Sequence, residues 1–551
     1  MELYNCNWWG GHGWEGDVAV GPNGDPILLK PRPTVAKAIS KKDETRRPDP
    51  SWPLHAKNLA SCFQIKPFEK LLKGQEVAVW QHLRRYLVDP EVYATTTSES
   101  RPKVQRLSVA DANVLVATGV ASKTDAPVSL SAFVVAEFAK RRRRCIHHPR
   151  IFNEHLEVPR IRLPGVAALR RLVCDSDCFF TADFTSFYYQ FDISAVSKYF
   201  VFEDADGQRY RLLRLPMGLS VSCSIAQFVS RILSLRASEA AGTLSAAYID
   251  NVLFGGTASA IARVRNEFLR LAKEVGLTVG DMSGPATSVE FTGLVLDAHA
   301  KTIALSTRGL DKIRELDFKG VTTRRQALHL FGVLFSASRI HPEYFAEFFF
   351  GVRFYRRMCS DIQHGRSIDE PFTVWPALYP SFTRTCQRLL ENVPVPVMTQ
   401  GDILVLATDA SSVGFGYSVH GDSEARGGGR WLAADADRHI NEKELLAVVF
   451  ALKALSPPMP HKLVILLDST VAFHALRKGY SASPGVNQVC AEIWGLIPKT
   501  TALDLRWIPS VANPADPPSR GSFQWDSINA KWIELYAEYP MVFGHELSHL
   551  R

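Results

Sequence analysis

The stretch Cys178–Phe184, which reads CFFTADF, closes an apolar and aromatic run with the carboxylate of Asp183. A second run of the same character, residues 246–254 (AAYIDNVLF), carries Asp250 in its interior. Aromatic and branched residues at this density predict β-strands. A carboxylate within a half-buried strand is costly unless it is paired or binds a metal. The two stretches therefore predict acids on neighbouring strands that share a cation site.

Paired acids of this kind indicate phosphoryl-transfer chemistry. Two cations about 4 Å apart activate an attacking oxygen, stabilise a leaving oxygen and neutralise phosphate charge. Either aspartate alone also fits a turn residue at a strand end, whose side chain accepts hydrogen bonds from nearby backbone amides. The motifs around the two acids distinguish a cation site from a pair of turn residues.

The composition is that of a globular protein with several domains. The chain has 551 residues, of which 46% are hydrophobic and 22% charged, and a typical domain has about 150. A formal net charge of +8 suits a polyanionic partner. Nine cysteines without metal-ligand spacing favour reduced thiols over disulfides or structural zinc. Because neither a signal peptide nor a membrane-spanning run is visible, we expect an intracellular protein of the cytoplasm or nucleus.

The pattern along the chain predicts two mixed regions separated by a helical one. Between residues 172 and 296, strand-like runs alternate with helical periodicity at residues 225–235 and 261–275. Residues 307–398 are mostly helical in pattern, and strand-like runs resume at residues 403–408. This order predicts an α+β part followed by a separate, compact α/β part.

Three motifs follow one another in the α+β part. DFTSFYYQ occupies residues 183–190, LPMGLS at residues 215–220 leads to Gln227, and YIDN occupies residues 248–251. In this order and spacing they resemble the palm of a retroelement reverse transcriptase. The preceding basic segment, RRRCIHHPRIFN at residues 142–153, is similar to the fingers motif of that family.

The resemblance implies roles for individual residues. Asp183 and Asp250 would be the metal-binding carboxylates of the palm. Tyr188 would stack under the incoming sugar and clash with a 2′-hydroxyl, although an aromatic there also fits a core residue. Arg144 would contact the triphosphate, although the arginine run also fits a solvated charged face. The nucleotide-binding residues that the resemblance implies are Arg144, Arg150, Tyr188, Met217, Gly218 and Gln227.

Two positions depart from the family pattern. Asn251 stands where a second aspartate is usual, so this implied metal ligand carries no charge. Met282 stands where many relatives have a lysine that could protonate the departing pyrophosphate. Both departures would weaken polymerisation, so a slow or silent polymerase stays open as an alternative.

Four more acids recur in the α/β part. Asp409 and Asp468 each follow a predicted strand, Glu444 lies in a predicted helix, and Asp516 lies in NPADPPSR at residues 513–520. Taken singly, they have ordinary explanations. Glu444 could complete a capping box with the residue three positions before it, and Asp468 and Asp516 could each cap a helix. All four together, in the order strand, glycine-rich hairpin, helix, strand and helix, resemble the ribonuclease H domain of retroelements.

That second resemblance implies a cation site built from Asp409, Glu444, Asp468 and Asp516. Cellular relatives carry a loop histidine near Val511, and this chain does not. The helix around Glu444 and the NPADPPSR ending are similar to those of retrotransposons that move by a tyrosine recombinase, and of pararetrovirus-like relatives.

Together the resemblances imply an α+β polymerase, with fingers, thumb and an antiparallel palm sheet with helices, followed by an α/β ribonuclease H-like domain. The implied enzyme copies an RNA template from a DNA primer and deoxynucleoside triphosphates, and cuts the RNA of the RNA–DNA hybrid. It uses two Mg²⁺ or Mn²⁺ ions at each site. The expected parts are an N-terminal segment of unclear role and partly fingers (1–105), fingers and palm (106–305), a thumb- or connection-like helical region (306–398), the ribonuclease H-like domain (399–525) and a C-terminal tail (526–551).

Two rival functions stay open from the sequence. One is a hybrid-cutting nuclease whose polymerase half only grips nucleic acid. The other is a co-opted nucleic-acid-binding protein without catalysis. Asn251 and Met282 favour both rivals, whereas the complete set of four downstream acids argues against the second.

Overall fold

The computed structural model describes residues 28–29, 49–56, 62–94, 105–138, 141–159, 163–341, 343–397, 403–455, 460, 462–498 and 501–542. The chain divides into two compact units. The first comprises Gly13–Val289, and the second is built mainly from Glu290–Arg551. The division therefore falls before the boundary that the sequence suggested at residue 305.

The first unit is an α+β structure, which agrees with the predicted content. Its strands are β1 (Leu28–Leu29), β2 (Ala121–Lys123), β3 (Ser131–Glu137), β4 (Arg142–His148), β5 (Val158–Pro159), β6 (Cys178–Phe184), β7 (Val201–Glu203), β8 (Arg209–Leu212), β9 (Leu244–Tyr248), β10 (Asn251–Gly256) and β11 (Val279–Ala286), with β12 (Ser288–Phe291) at the boundary. Its helices are α1 (Ile65–Glu69), α2 (Gln75–Val88), α3 (Glu91–Ala94), α4 (Val109–Ala117), α5 (Arg150–His155), α6 (Val166–Cys174), α7 (Ser220–Ala241) and α8 (Ala258–Glu274).

An antiparallel sheet in the order β11–β6–β10–β9 lies at the centre of this unit. The aromatic residues of the predicted strands make its core. Phe180 of β6 stacks on Phe254 of β10 with ring centroids 5.8 Å apart, and Phe254 contacts Phe268 of α8 at 5.3 Å. The apolar periodicity that predicted α8 is the face that covers the sheet.

The run at residues 246–254 forms a hairpin and not the single strand that its composition suggested. Asn251 pairs with Tyr248, so Ile249 and Asp250 form a two-residue turn between β9 and β10. Ile249 has a φ of 57°, which is strained for a branched residue. The turn moves Asp250 from the interior of a strand to the tip of a hairpin.

Part of the N-terminal segment, for which the sequence indicated no clear role, belongs to the core of the first unit. Phe68 of α1 and Trp80 of α2 are fully buried. The indole of Trp80 stacks on Phe228 of α7, with centroids 6.0 Å apart and an interplanar angle of 10°. Helices α1 and α2 therefore brace the long helix α7 behind the central sheet.

The second unit combines a helical region with a mixed sheet. Its strands are β13 (Leu294–Asp297), β14 (Thr302–Leu305), β15 (Val395–Pro396), β16 (Ile403–Ala410), β17 (Gly414–Val419), β18 (Asp422–Arg430), β19 (Lys462–Leu467) and β20 (Ala502–Trp507). Its helices are α9 (Thr307–Arg314), α10 (Arg324–Ser338), α11 (Glu343–Glu347), α12 (Phe349–Gln363), α13 (Tyr379–Glu391), α14 (Ala433–Ala436), α15 (Ile440–Ala454), α16 (Thr470–Lys478), α17 (Pro484–Leu496), α18 (Asp516–Ser519) and α19 (Trp525–Glu538).

The mixed sheet has the order β18–β17–β16–β19–β20. Strands β16, β19 and β20 are parallel, and β17 and β18 extend the sheet antiparallel. All six residues of β19 (KLVILL) are buried, as expected for a central parallel strand covered on both faces. Helix α15 covers one face and α19 the other. The strands and the helix predicted from residue 403 onward are therefore present in the predicted order.

Residues 526–538 do not form the tail that the sequence predicted after the second domain. They lie in α19, whose Ile528, Trp532 and Leu535 are buried against Val464 and other residues of the sheet. The apolar spacing of three and four residues in this helix was a signal for packing. Among the described residues of both units, no helix is long and apolar enough to cross a bilayer.

We expect Trp532→Ala to lower the free energy of unfolding of the second unit by about 3–5 kcal/mol, because it removes a large buried ring. The indole also donates a 3.0 Å hydrogen bond to the Ser418 hydroxyl. The matched control is Ile533→Ala on the same helix, since Ile533 is 61% exposed, and it should change stability by less than about 0.5 kcal/mol. Urea unfolding followed by circular dichroism measures both. Equal effects would contradict a structural role for α19.

Candidate functional site

In the first unit, Asp183 and Asp250 are brought together by strand pairing. Asp183, the penultimate residue of β6, lies directly opposite Asn251, the first residue of β10. The backbone amide of Phe184 donates a 2.9 Å hydrogen bond to the carbonyl of Asp250. Both carboxylates are half-buried. Asp183 therefore lies near the end of β6, and Asp250 lies in the turn that begins the paired strand β10, not on that strand as the sequence suggested.

The carboxylate of Asp183 is held by the backbone of β11. The amide of Asp281 donates a 2.6 Å hydrogen bond to Asp183 Oδ1. A Cβ atom at Gly280 would lie only 2.3 Å from the same oxygen, so the close approach of this strand requires glycine. Met282, the position of the expected lysine, pairs with Ala182 on β6 and is 41% exposed. Met282 therefore lies beside the acids, but its side chain carries no charge.

Asn251 contacts Asp250 directly. Its amide nitrogen Nδ2 donates a 3.0 Å hydrogen bond to Asp250 Oδ1. An aspartate at this position would instead set two negative charges side by side, which is unfavourable without a cation. Asn251 therefore orients Asp250 and at the same time lowers the charge available for a metal.

Gln227 is buried and hydrogen-bonds to the hairpin that carries Asp250. Its Nε2 donates to the carbonyl of Ala247 at 2.9 Å, and its Oε1 accepts from the amide of Ile249 at 2.6 Å. These bonds support the strained turn from α7 below it. The nucleotide-binding role that the family resemblance implies for Gln227 stays a prediction beside this support of the hairpin backbone.

Met217 and Gly218 lie where the chain passes the end of β4. The amide of His147 donates to the carbonyl of Met217 at 2.9 Å. Gly218 has a φ of 121°, and a Cβ atom there would lie 2.1 Å from the carbonyl oxygen of His147. Asn153 fixes the same turn by donating to the Gly218 carbonyl at 2.7 Å. Glycine is therefore required by the protein backbone itself.

Tyr188 is half-buried and contacts the first turn of α7. Its hydroxyl is 3.2 Å from the sulfur of Cys223, an exposed residue of that helix. The ring packs against the core, which fits the plain alternative of a core aromatic. Its partial exposure also fits the implied contact with a sugar.

The arginines of β4 are already paired with acids. Arg144 donates to both oxygens of Glu137, at 2.8 and 3.2 Å, and Arg142 also binds Glu137. Burial disfavours the Glu137 carboxylate, but the two arginines outweigh this effect and lower its pKa to about 2. Arg150 begins α5, and its side chain lies outside the described residues. A triphosphate would therefore compete with Glu137 for Arg144.

In the second unit, three of the four predicted acids converge. Asp409 in β16, Glu444 in α15 and Asp468 after β19 each place a carboxylate oxygen within 4.8 Å of the others. Asp409 and Glu444 are buried. The explanations by helix capping are wrong for two of these acids, because the N-cap of α15 is His439 and that of α16 is Ser469. Carboxylate oxygens this close together could serve as the ligands of a divalent cation.

The mutual repulsion of these acids appears in their pKa values. Burial, together with the charges of Asp468 and Asp409, raises the pKa of Glu444 to about 9. Burial also raises the pKa of Asp409 to about 6, although a hydrogen bond from Ser519 opposes this shift. Asp468 Oδ1 is buried and accepts no hydrogen bond from the described residues. This donor set, with an unsatisfied oxygen, fits a divalent cation.

Asp516 and its neighbours support the cluster from α18. The charge of Asp516 contributes to the raised pKa of Asp409, and Asp516 Oδ1 accepts a 2.8 Å hydrogen bond from Arg520. Ser519 donates to Asp409 Oδ2. Asn513 is fully buried and donates to the carbonyl of Thr408 at 3.0 Å. Asn513, Ser519 and Arg520 were not among the predicted site residues, although all three stand in the NPADPPSR motif.

We expect Glu444→Gln to remove a pH-dependent loss of stability in protein freed of divalent cations. The folded state holds the Glu444 proton up to about pH 9, whereas the unfolded chain releases it near 4.5. The protonated Glu444 therefore makes its full contribution to the free energy of unfolding below pH 4.5, and this contribution declines as the pH rises to about 9. The glutamine variant should match the wild type at low pH and become progressively more stable than it up to pH 9. Thermal unfolding with a chelator measures this, and parallel pH profiles would contradict the burial of Glu444 beside the other acids.

Comparison with known proteins gives one family match and several structural likenesses. Residues 372–531 match the family model for the C-terminal domain of viral DNA polymerase, and this range includes all four acids of the second unit. A foamy viral protease-reverse transcriptase (dRH) in complex with ds DNA is similar over 84% of this chain and 84% of its own, at 14% identity and a TM-score of 0.47. A foamy viral protease-reverse transcriptase in complex with RNA/DNA hybrid is similar over 82% and 64%, at 15% identity and a TM-score of 0.44. No curated protein matches the chain.

Proposed function

We propose that this chain is an RNA-directed DNA polymerase joined to a ribonuclease that cuts RNA–DNA hybrids. The observation that carries the proposal is the presence of two separate carboxylate sites in one chain. Asp183 lies beside Asp250 in the first unit, and Asp409, Glu444 and Asp468 converge within 4.8 Å in the second. Each site is assembled from residues far apart in sequence, and each suits phosphoryl transfer.

In the polymerase half, Asp183 and Asp250 would hold Mg²⁺ or Mn²⁺, with the amide oxygen of Asn251 as a neutral ligand. The backbone amide of Asp281 keeps the Asp183 carboxylate oriented. Arg144 and Arg150 would receive the triphosphate, Tyr188 the sugar, and the turn at Met217 and Gly218 the base. The substrates are an RNA template, a DNA primer and deoxynucleoside triphosphates.

In the nuclease half, Asp409, Glu444, Asp468 and Asp516 would hold two cations next to the RNA strand of a hybrid. Bound cations of this kind supply an activated water and stabilise the departing oxygen of the cut strand. The Ser519 hydroxyl fixes one oxygen of Asp409, and Arg520 fixes Asp516. The exposed ring of Trp507 donates its indole N–H to the carbonyl of Asp468 at 2.9 Å and so braces the loop of that acid.

We assign the chain to a retroelement. The sequence motifs are similar to those of retrotransposons with a tyrosine recombinase and of pararetrovirus-like elements. The match of residues 372–531 to a viral polymerase domain supports the broader assignment to reverse-transcribing elements. Asn251 favours a second candidate, a hybrid-cutting nuclease with an impaired polymerase half, because its amide replaces a charged ligand.

Replacement of single acids should separate the two activities. Asp183→Ala should abolish primer extension on an RNA template, and Asp409→Ala should abolish cleavage of a labelled hybrid. Each loss should exceed about 100-fold, beyond the effect of residues that only support a metal ligand. The matched controls are the exposed acids Asp206→Ala and Asp526→Ala. Cleavage that survives Asp409→Ala would refute the nuclease assignment, and extension that survives Asp183→Ala would refute the polymerase site.

Asn251→Asp should lower the Mg²⁺ concentration for half-maximal extension by about 3- to 10-fold, because cation affinity rises with ligand charge. The measurement is primer extension over a Mg²⁺ titration. Asn266→Asp on α8 adds the same charge at an exposed position and should leave the titration unchanged. If neither the wild type nor Asn251→Asp extends a primer, the second candidate replaces the first.

A further inference from the structure

A short piece of the N-terminal segment, residues 49–56, lies along the outer edge of β4. Leu54 forms a parallel bridge with Arg143. The amide of His55 donates to the carbonyl of Arg143 at 2.6 Å, and the amide of Arg143 donates to the carbonyl of Pro53 at 2.8 Å. Trp52 meets Phe138 edge-on with centroids 5.5 Å apart. This segment therefore adds a third, strand-like row to the hairpin of β3 and β4.

The added row places His55 next to the paired arginines. Arg142 and Arg144 occupy one side of β4, as alternate residues of a strand do, and share Glu137 of β3. Arg142 Nη1 also lies 3.1 Å from His55 Nδ1. A guanidinium can only donate hydrogen bonds, so Nδ1 must be the acceptor. The neutral ring then carries its proton on Nε2.

The second nitrogen of His55 reaches the loop that follows Asp183. Nε2 lies 3.3 Å from the hydroxyl oxygen of Ser186, to which it can donate. Ser186 is nearly buried and has a φ of 47°, in the left-handed region. It stands three residues after Asp183 and two before Tyr188. Its conformation therefore decides how the chain turns between the acid and the aromatic ring.

We propose that His55 is a positioning residue of the polymerase site, and that it couples the arginine hairpin to the turn between Asp183 and Tyr188. The path of contacts runs from Glu137 through Arg142 and His55 to Ser186. This inference rests on the proposed polymerase function. If Arg144 holds the phosphates of a nucleotide, this coupling would align the nucleotide with Asp183 and with the ring of Tyr188. It gives residues 49–56 a part in the polymerase site.

The coupling can be measured without substrate, by hydrogen exchange on the full chain. His55→Ala should speed exchange at least 5-fold both at the amides of residues 142–146 and at those of residues 185–190. The matched control is His155→Ala, because the exposed ring of His155 hydrogen-bonds to the Ile151 carbonyl of its own helix at 2.7 Å. That variant should leave both segments unchanged. Faster exchange at only one segment, or at neither, overturns the coupling.

Kinetics separates positioning from mere structural support. His55→Ala should raise KM for the deoxynucleotide 5- to 10-fold and change kcat less than 3-fold. His55→Gln keeps a hydrogen-bond donor near Ser186, so its KM should lie between those of the wild type and His55→Ala. Ser186→Ala should give the same rise, and the double variant should be no worse than either single one. Unchanged KM, or effects that multiply, overturns the proposal. A wild type that shows no extension refutes the polymerase function, and the exchange experiment still decides whether the coupling exists.

Discussion

Repulsion between carboxylates confined to a small volume is the constraint on which the second unit depends. Asp409, Glu444 and Asp468 come within 4.8 Å of one another where the parallel strands end, and burial weakens the screening that water would give. The protein tolerates this because the surrounding sheet is well packed and because Ser519 and the backbone of Ala410 hydrogen-bond to two of the acids. The raised pKa values of Asp409 and Glu444 record the remaining cost.

The carboxylate site of the first unit contains less negative charge, so its acids repel one another less. Asp183 and Asp250 are half-buried, and the neighbour of Asp250 is an amide that donates to it. Support comes mainly from the backbone, through the Asp281 amide, and from Gln227, which holds the strained turn beneath Asp250. The two sites therefore differ in character. The second concentrates three carboxylates, whereas the first combines two carboxylates with one neutral amide.

The sequence predicted the elements that carry the acids better than it predicted their surroundings. The apolar runs before Asp183, Asp409 and Asp468 are strands because alternating or continuous apolar patterns report local structure directly. The turn at Ile249 was hidden because an isoleucine with positive φ violates local preference and is held there by Gln227, a distant residue. The apolar spacing of α19 indicated a buried face, but not the sheet against which that face packs. The pairing of Arg144 with Glu137 depends on a contact between elements, which no local pattern encodes. The same is true of His55, whose neighbours follow 87 and 131 positions later.

Helix α19 has a consequence for how the protein is made. It covers one face of the five-stranded sheet with Trp532, and it is synthesised after all the strands of that sheet. Domains generally fold as units during synthesis, beginning with the N-terminal one. A nascent chain can thus complete the unit with Asp183 while the sheet that carries Asp409 still exposes an apolar surface. The five-stranded sheet therefore acquires its apolar cover only after residues 525–538 have been synthesised.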